Sequence, residues 1–172
     1  MTTHLPPLPA SAPAPIVLVP PVEALTRAAV HKVFKEMLNL DMCDDDTLPL
    51  AEEEMGQIIS SVGFIGQVTG VIHLYAGMSF ARTITSRMVG LEEAEVDNHE
   101  MVNDAMAELG NVLVGAVKSQ LCDLGWVCTL TIPSVMRGHH LRIESVSRVA
   151  VTVLGFRAGG QRLIVEMLVK DL

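Results

Sequence analysis

The stretch from Asp97 to Leu124 constrains this chain more than any other part of it. It opens on Asp97-Asn98-His99-Glu100, an aspartate variant of the capping box, in which a short polar side chain and a later acid satisfy the free amides of a first helical turn. The helical period then continues without a proline to about Leu124, and Gly125 supplies the stop. Projected at about 100° per residue, Val102, Ala105, Leu109, Val112, Leu113 and Ala116 share one broad face, which predicts the core side. Asp104, Glu108, Asn111 and Gly115 fall within about 60° of one another on the opposite side. Lys118 lies at the edge of that stripe.

The elements around this helix can be placed from their own patterns. Val22 to about Leu40 steps by four through Leu25, Ala29 and Val33, predicting a first helix that the acidic run Asp41 to Asp46 ends as a solvated loop. That run lacks the alternate spacing and glycine of a calcium loop. Gln57 to Ile65 and Val68 to Tyr75 read as strands, joined by a two-residue turn at Gly66-Gln67. Ser79 to Val89 fits a second helix, capped by Ser79 and ended by Gly90. After the long helix, Trp126 to Ile132 predicts a strand ending at Pro133. Leu141 to Ile143 allows another short one. Arg148 to Phe156 and Gln161 to Lys170 then predict a hairpin about Ala158-Gly159-Gly160. The order is mixed rather than alternating, which favours α+β with a largely antiparallel sheet. The runs Leu163-Ile164-Val165 and Met167-Leu168-Val169 are apolar on both faces. Such a strand is either central or covered by a partner.

Seven of the nine prolines fall in residues 1–21, a segment therefore expected to be a disordered or extended tail, with the folded domain running over residues 22–172. With 49% of its residues hydrophobic, the chain is excluded from global disorder. A net charge of −8 argues against nucleic acid and anionic membrane surfaces as partners. No apolar run reaches the roughly 18 residues of a membrane span, and no secretory signal is expected. Cys43, Cys122 and Cys128 are odd in number and lack CxxC spacing, so reduced, buried thiols in a cytoplasmic protein are expected.

Chemistry is concentrated on the polar stripe of the long helix. An exposed acid and amide at i, i+3 are compatible with an ordinary solvated face. Yet Asn is a poor helix former, and Gly110 and Gly115 each cost roughly 1 kcal/mol relative to alanine. Gly115 falls on the stripe itself, and a missing side chain there leaves room for close approach. His139-His140 has no Cys or carboxylate at ligand spacing, so no metal site is expected. P-loop, α/β-hydrolase and zincin motifs are absent.

Asp104-x3-Glu108-x2-Asn111, followed by Pro133, resembles the signature of the CheC/CheX/FliY class of chemotaxis phosphatases. Here 21 residues separate Asn111 from Pro133, one fewer than is usual for the class. The first helix, the Gly66/Gly70 hairpin, the second helix and the closing hairpin also look like this class, so the resemblance spans Val22 to Leu172. The signature occurs once, as in the CheX branch.

The resemblance implies a fold of long helices on a largely antiparallel sheet, a homodimer, and a phosphatase acting on the aspartyl phosphate of a CheY-type response regulator. It assigns Asn111 to orienting the attacking water and Glu108 to docking the regulator's active-site lysine. Asp104, Gly115 and Pro133 would have supporting parts. No cofactor of its own is implied, since Mg2+ would come with the regulator. The rival expectation is a non-catalytic module of the same fold that binds a regulator or flagellar-switch component.

Overall fold

The computed structural model describes residues 20–45, 47, 58–96, 98–139, 141, 143–144 and 149–170. Three helices, α1 (Val22–Leu38), α2 (Met78–Val89) and α3 (His99–Asp123), cover one face of a seven-stranded antiparallel sheet. The strands are β1 (Cys43–Asp44), β2 (Ile58–Gly66), β3 (Gly70–Ala76), β4 (Cys128–Leu130), β5 (Ser134–Arg137), β6 (Val149–Ala158) and β7 (Gln161–Lys170). Their order is β1-β6-β7-β3-β2, with β4 and β5 end to end along the remaining edge of β2. The expected α+β architecture is thus observed, while the expected tail lies almost wholly outside the described residues.

The local signals set the helix ends. Pro21 precedes α1, where its missing N–H is no loss. Gly90 ends α2 at φ 72° and Gly125 follows α3 at φ 91°, both in the left-handed region that glycine tolerates. The α3 cap is Asn98, whose side chain accepts from the Glu100 amide at 2.8 Å. The predicted cap Asp97 lies outside the described residues. Ser79 does not cap α2, which starts at Met78 with Gly77 in the cap position and no side-chain cap. The Ser79 hydroxyl instead accepts from Gln161 Nε2.

Sheet positions departed from expectation where distant strands intervene. The β2–β3 register ends at Phe64↔Gly70, so residues 65–69 make the connection rather than Gly66-Gln67 alone. Gly66 still belongs to β2 and pairs with Cys128; a Cβ there would lie 2.3 Å from the Val127 carbonyl oxygen. Close approach of β4, not a turn, requires this glycine. The strand expected over Trp126 to Ile132 is only Cys128–Leu130, and pairing with β2 resumes at Ser134 after Pro133, which has no N–H to donate. Leu141 and Ile143 form no strand; they pack on Ile59, Tyr75 and Ile164 on the sheet face away from the helices.

Asp44 and Asp45 of the acidic run are likewise not in a solvated loop, whereas Asp41 is exposed and Asp46 lies outside the described residues. Cys43–Asp44 pairs with Phe156 and Arg157 of β6 as an edge strand. Asp44 bonds His31 at 2.8 Å and Arg27 at 3.2 Å. Burial pushes its carboxyl up, but the His31 bond and the Arg27 charge outweigh that and hold it below its ordinary value. Asp45 meets Arg157 at 2.7 Å, and the Thr47 hydroxyl, then Arg157, hold its carboxyl low. Cys43 on this strand is exposed, against the expectation of buried thiols, whereas Cys128 is buried and Cys122 half-buried.

β7 lies between β6 and β3. Its Leu163, Val165 and Met167 join the core under the helices, and Ile164 is buried on the other face beside Tyr75. The two-faced apolar run is therefore explained by a central position.

Candidate functional site

Helix α3 is wedged between β2, α1 and α2. Val102, Ala105, Leu109 and Leu113 are buried as expected, but the buried face turns further, through Met106, Gly110, Val114, Val117 and Leu121. Val112 and Ala116 are only partly buried at its margin. The wider face reflects contact on two sides at once, with the sheet below and α1 alongside.

Opposite that face the predicted stripe stands clear of the core. Asp104 and Glu108 are exposed and Asn111 is half-buried. The side chain of each makes no hydrogen bond or ion pair within the chain among the described residues. A Cβ added at Gly115 would meet nothing nearer than Leu130 Cδ1 at 3.9 Å, so the backbone there is open to a visitor. Leu130 ends β4, and Pro133 follows three residues later in the joint between β4 and β5. The stripe is thus bordered by β4 near Gly115, and Pro133 sits in the adjoining loop.

At the other end, the stripe runs into a groove of about 490 Å³ that Met88 and Val89 of α2 share with Met101, Asp104, Ala105 and Glu108 of α3. Val89 is 47% exposed, an apolar side chain left at the surface of a groove that the carboxylates of Glu100, Asp104 and Glu108 also line. The sequence signal for this groove is faint: the apolar end of α2 next to Gly90 carries no motif, and only packing brings it beside α3.

A second polar cluster was not legible in the sequence. On the far face of the sheet, Ser61 Oγ and His73 Nδ1 lie 2.7 Å apart, and the Tyr75 hydroxyl donates to Glu166 at 2.6 Å. Burial pushes the His73 imidazole below its ordinary value, with the Glu166 charge opposing in part. Ser61 and His73 are each less than a tenth exposed, so no substrate reaches them directly. His139 is exposed and His140 lies outside the described residues. Among the described residues no group of three or more His, Cys, Asp or Glu converges as metal ligands, and no helix is long and apolar enough to cross a membrane.

Three helices on one face of an antiparallel sheet are a fold this chain shares with solved CheX and CheC-like proteins. The family profile described as "Chemotaxis phosphatase CheX" matches residues 58–157, and the chain belongs to that family. It is 28% identical over 119 residues to the CheY-P phosphatase CheX of Thermotoga maritima, covering 68% of this chain and 76% of that protein. Its fold matches the chemotaxis protein CheX of Vibrio vulnificus at a TM-score of 0.76, with 20% identity over 87% of this chain and 97% of that one. It also matches a chain of the CheX-CheY-BeF3-Mg2+ complex from Borrelia burgdorferi at a TM-score of 0.75, with 21% identity over 89% of this chain and 100% of that one.

Proposed function

We propose that this chain removes the phosphoryl group from the aspartyl phosphate of a CheY-type response regulator. The observation that carries the reading is the uncommitted stripe. Glu108 and Asn111 project together from a rigid helix, and among the described residues no side-chain hydrogen bond or ion pair uses them. The relative from Thermotoga maritima, named as a CheY-P phosphatase, adds support.

An aspartyl phosphate is already activated, and the regulator supplies its own magnesium. The remaining need is a nucleophile held in line with the phosphorus. Asn111 meets it: its amide carbonyl accepts a hydrogen bond from water while the NH2 donates to a phosphoryl oxygen. Fixing that water exchanges an entropic barrier for binding energy, and an amide needs no shifted pKa to do so. Glu108 meets the regulator's active-site lysine through a charge-assisted bond in a partly dried interface, setting the docking register. Asp104, one turn earlier in the groove, adds negative charge beside that lysine. The gap at Gly115 lets the regulator's loops come down on the helix backbone.

The test is timed phosphate loss from each phosphorylated CheY-type regulator of the source cell, with magnesium and with or without this protein. Faster loss with one regulator is expected. Binding with unchanged decay would instead make the chain a regulator-binding module.

A homodimer and a cytoplasmic location belong to the same reading and rest on the family resemblance; sedimentation of the purified chain tests the first. The division into a proline-rich tail and a domain from residue 22 is supported by the start of α1 at Val22. Limited proteolysis is expected to trim the chain to that point.

A further inference from the structure

Gly110 lies between Glu108 and Asn111 in sequence but on the opposite, buried side of α3. A Cβ built there would sit 2.4 Å from Ser60 Oγ, while its next neighbours, Val62 Cγ2 and Ser60 Cβ, are at 3.4 and 3.5 Å. One hydroxyl oxygen thus occupies the place of the missing side chain. Ser60 is fully buried in β2, and its Oγ has no hydrogen-bond partner among the described residues. Glycine inside a helix and an unbonded buried hydroxyl both work against stability. The pair therefore needs a reason other than stability to stand face to face under the working helix.

We propose that Ser60 and Gly110 form a seat that fixes the height of α3 on the sheet and, through it, the reach of Glu108 and Asn111. Both are positioning residues, and the inference rests on the phosphatase reading of that helix. Ordinary contact begins near 3.4 Å, so a methyl at residue 110 must part helix and strand by about 1 Å unless the hydroxyl swings aside. The displacement matters because α3 is not the whole docking surface. Met88 and Val89 of α2 wall the groove that Glu108 shares, and Leu130 of β4 borders Gly115. Lifting α3 against these neighbours changes how far Asn111 extends into a regulator resting on all of them. A misplacement of about 1 Å is enough to cost about 100-fold in rate.

The experiment compares the wild type, Ser60→Ala, Gly110→Ala and the double variant, with phosphate loss from the phosphorylated regulator timed and thermal unfolding followed in parallel. Gly110→Ala is expected to lower kcat about 100-fold on the serine background, with a smaller change in KM. On the alanine background it should cost little, because the new methyl then meets nothing nearer than 3.4 Å. If Gly110→Ala does not fold, Ser60→Val crowds the same gap from the sheet side without altering the helix, and the same loss of kcat is expected. A purely structural role would move the unfolding temperature and leave kcat of the folded protein unchanged, which overturns the proposal, as do independent effects of the two substitutions. If the wild type does not accelerate phosphate loss, the phosphatase reading itself has failed. The seat is then judged by affinity for the beryllofluoride–magnesium form of the regulator, where absence of coupling between residues 60 and 110 overturns it.

Discussion

Asn111→Ala separates the site from the fold by moving stability and activity in opposite directions. Residue 111 lies midway along a helix that runs from His99 to Asp123, far from either frayed end. Its side chain is half-buried and bonds nothing in the chain among the described residues. Removing it therefore breaks no internal contact of consequence, while alanine is a better helix former by up to about 0.7 kcal/mol. Allowing for a little lost packing, the variant should gain about 0.5 kcal/mol, or about 1–2 °C in Tm for a chain of this size. Activity should fall because a single oriented polar group at a reacting centre is worth about 100- to 1000-fold. Phosphate loss would then approach the regulator's unaided rate. Circular dichroism melts and a phosphate-release time course at saturating regulator measure both quantities. A Tm several degrees lower would show that Asn111 is committed to the core, and an unchanged kcat would show that it does not hold the water. Either result refutes the reasoning.

Glu108→Ala is expected to raise KM for the phosphorylated regulator about tenfold with a smaller effect on kcat, since a charge-assisted docking contact is lost; steady-state kinetics at two ionic strengths check it. Gly66→Ala places a Cβ 2.3 Å from the Val127 carbonyl and 2.7 Å from Cys128 Cα, both backbone atoms that cannot step aside. It should destabilise by about 1–3 kcal/mol, read as a lowered Tm. Burial holds the His73 imidazole below 6.5, so the unfolded chain takes up a proton there before the folded one does. The stability that neutral His73 contributes is fully present above about pH 6.5 and lost as pH falls through its lower folded-state value. In His73→Gln the slope of stability between pH 7 and 5 should flatten, and an unchanged slope in denaturant titrations would contradict the assignment.

What was legible in the sequence was what neighbouring residues decide among themselves. The extent of α3, the glycine stops at Gly90 and Gly125 and the hairpin turn at Gly159 follow from capping and backbone preference within a few residues. The stripe of Asp104, Glu108 and half-buried Asn111 follows from helical period alone, while its resemblance to the family signature rests on the residue types at that spacing. Other features waited on partners far along the chain. Asp45 looked like part of a solvated run because Arg157, its ion-pair partner, is 112 residues away. The doubly apolar β7 could have been central or covered by another copy until β6 and β3 paired on either side of it. Gly66 and Gly110 carried no mark of their purpose. At Gly66 the backbone of β4 comes closer than a side chain allows, and at Gly110 the Ser60 hydroxyl of β2 takes the place of one. Periodicity and capping act over one or two turns, so sequence alone determined which face of α3 is free. Close approach between distant segments depends on the assembled layers, so only the tertiary structure decided how deep that helix sits and what walls the groove beside it.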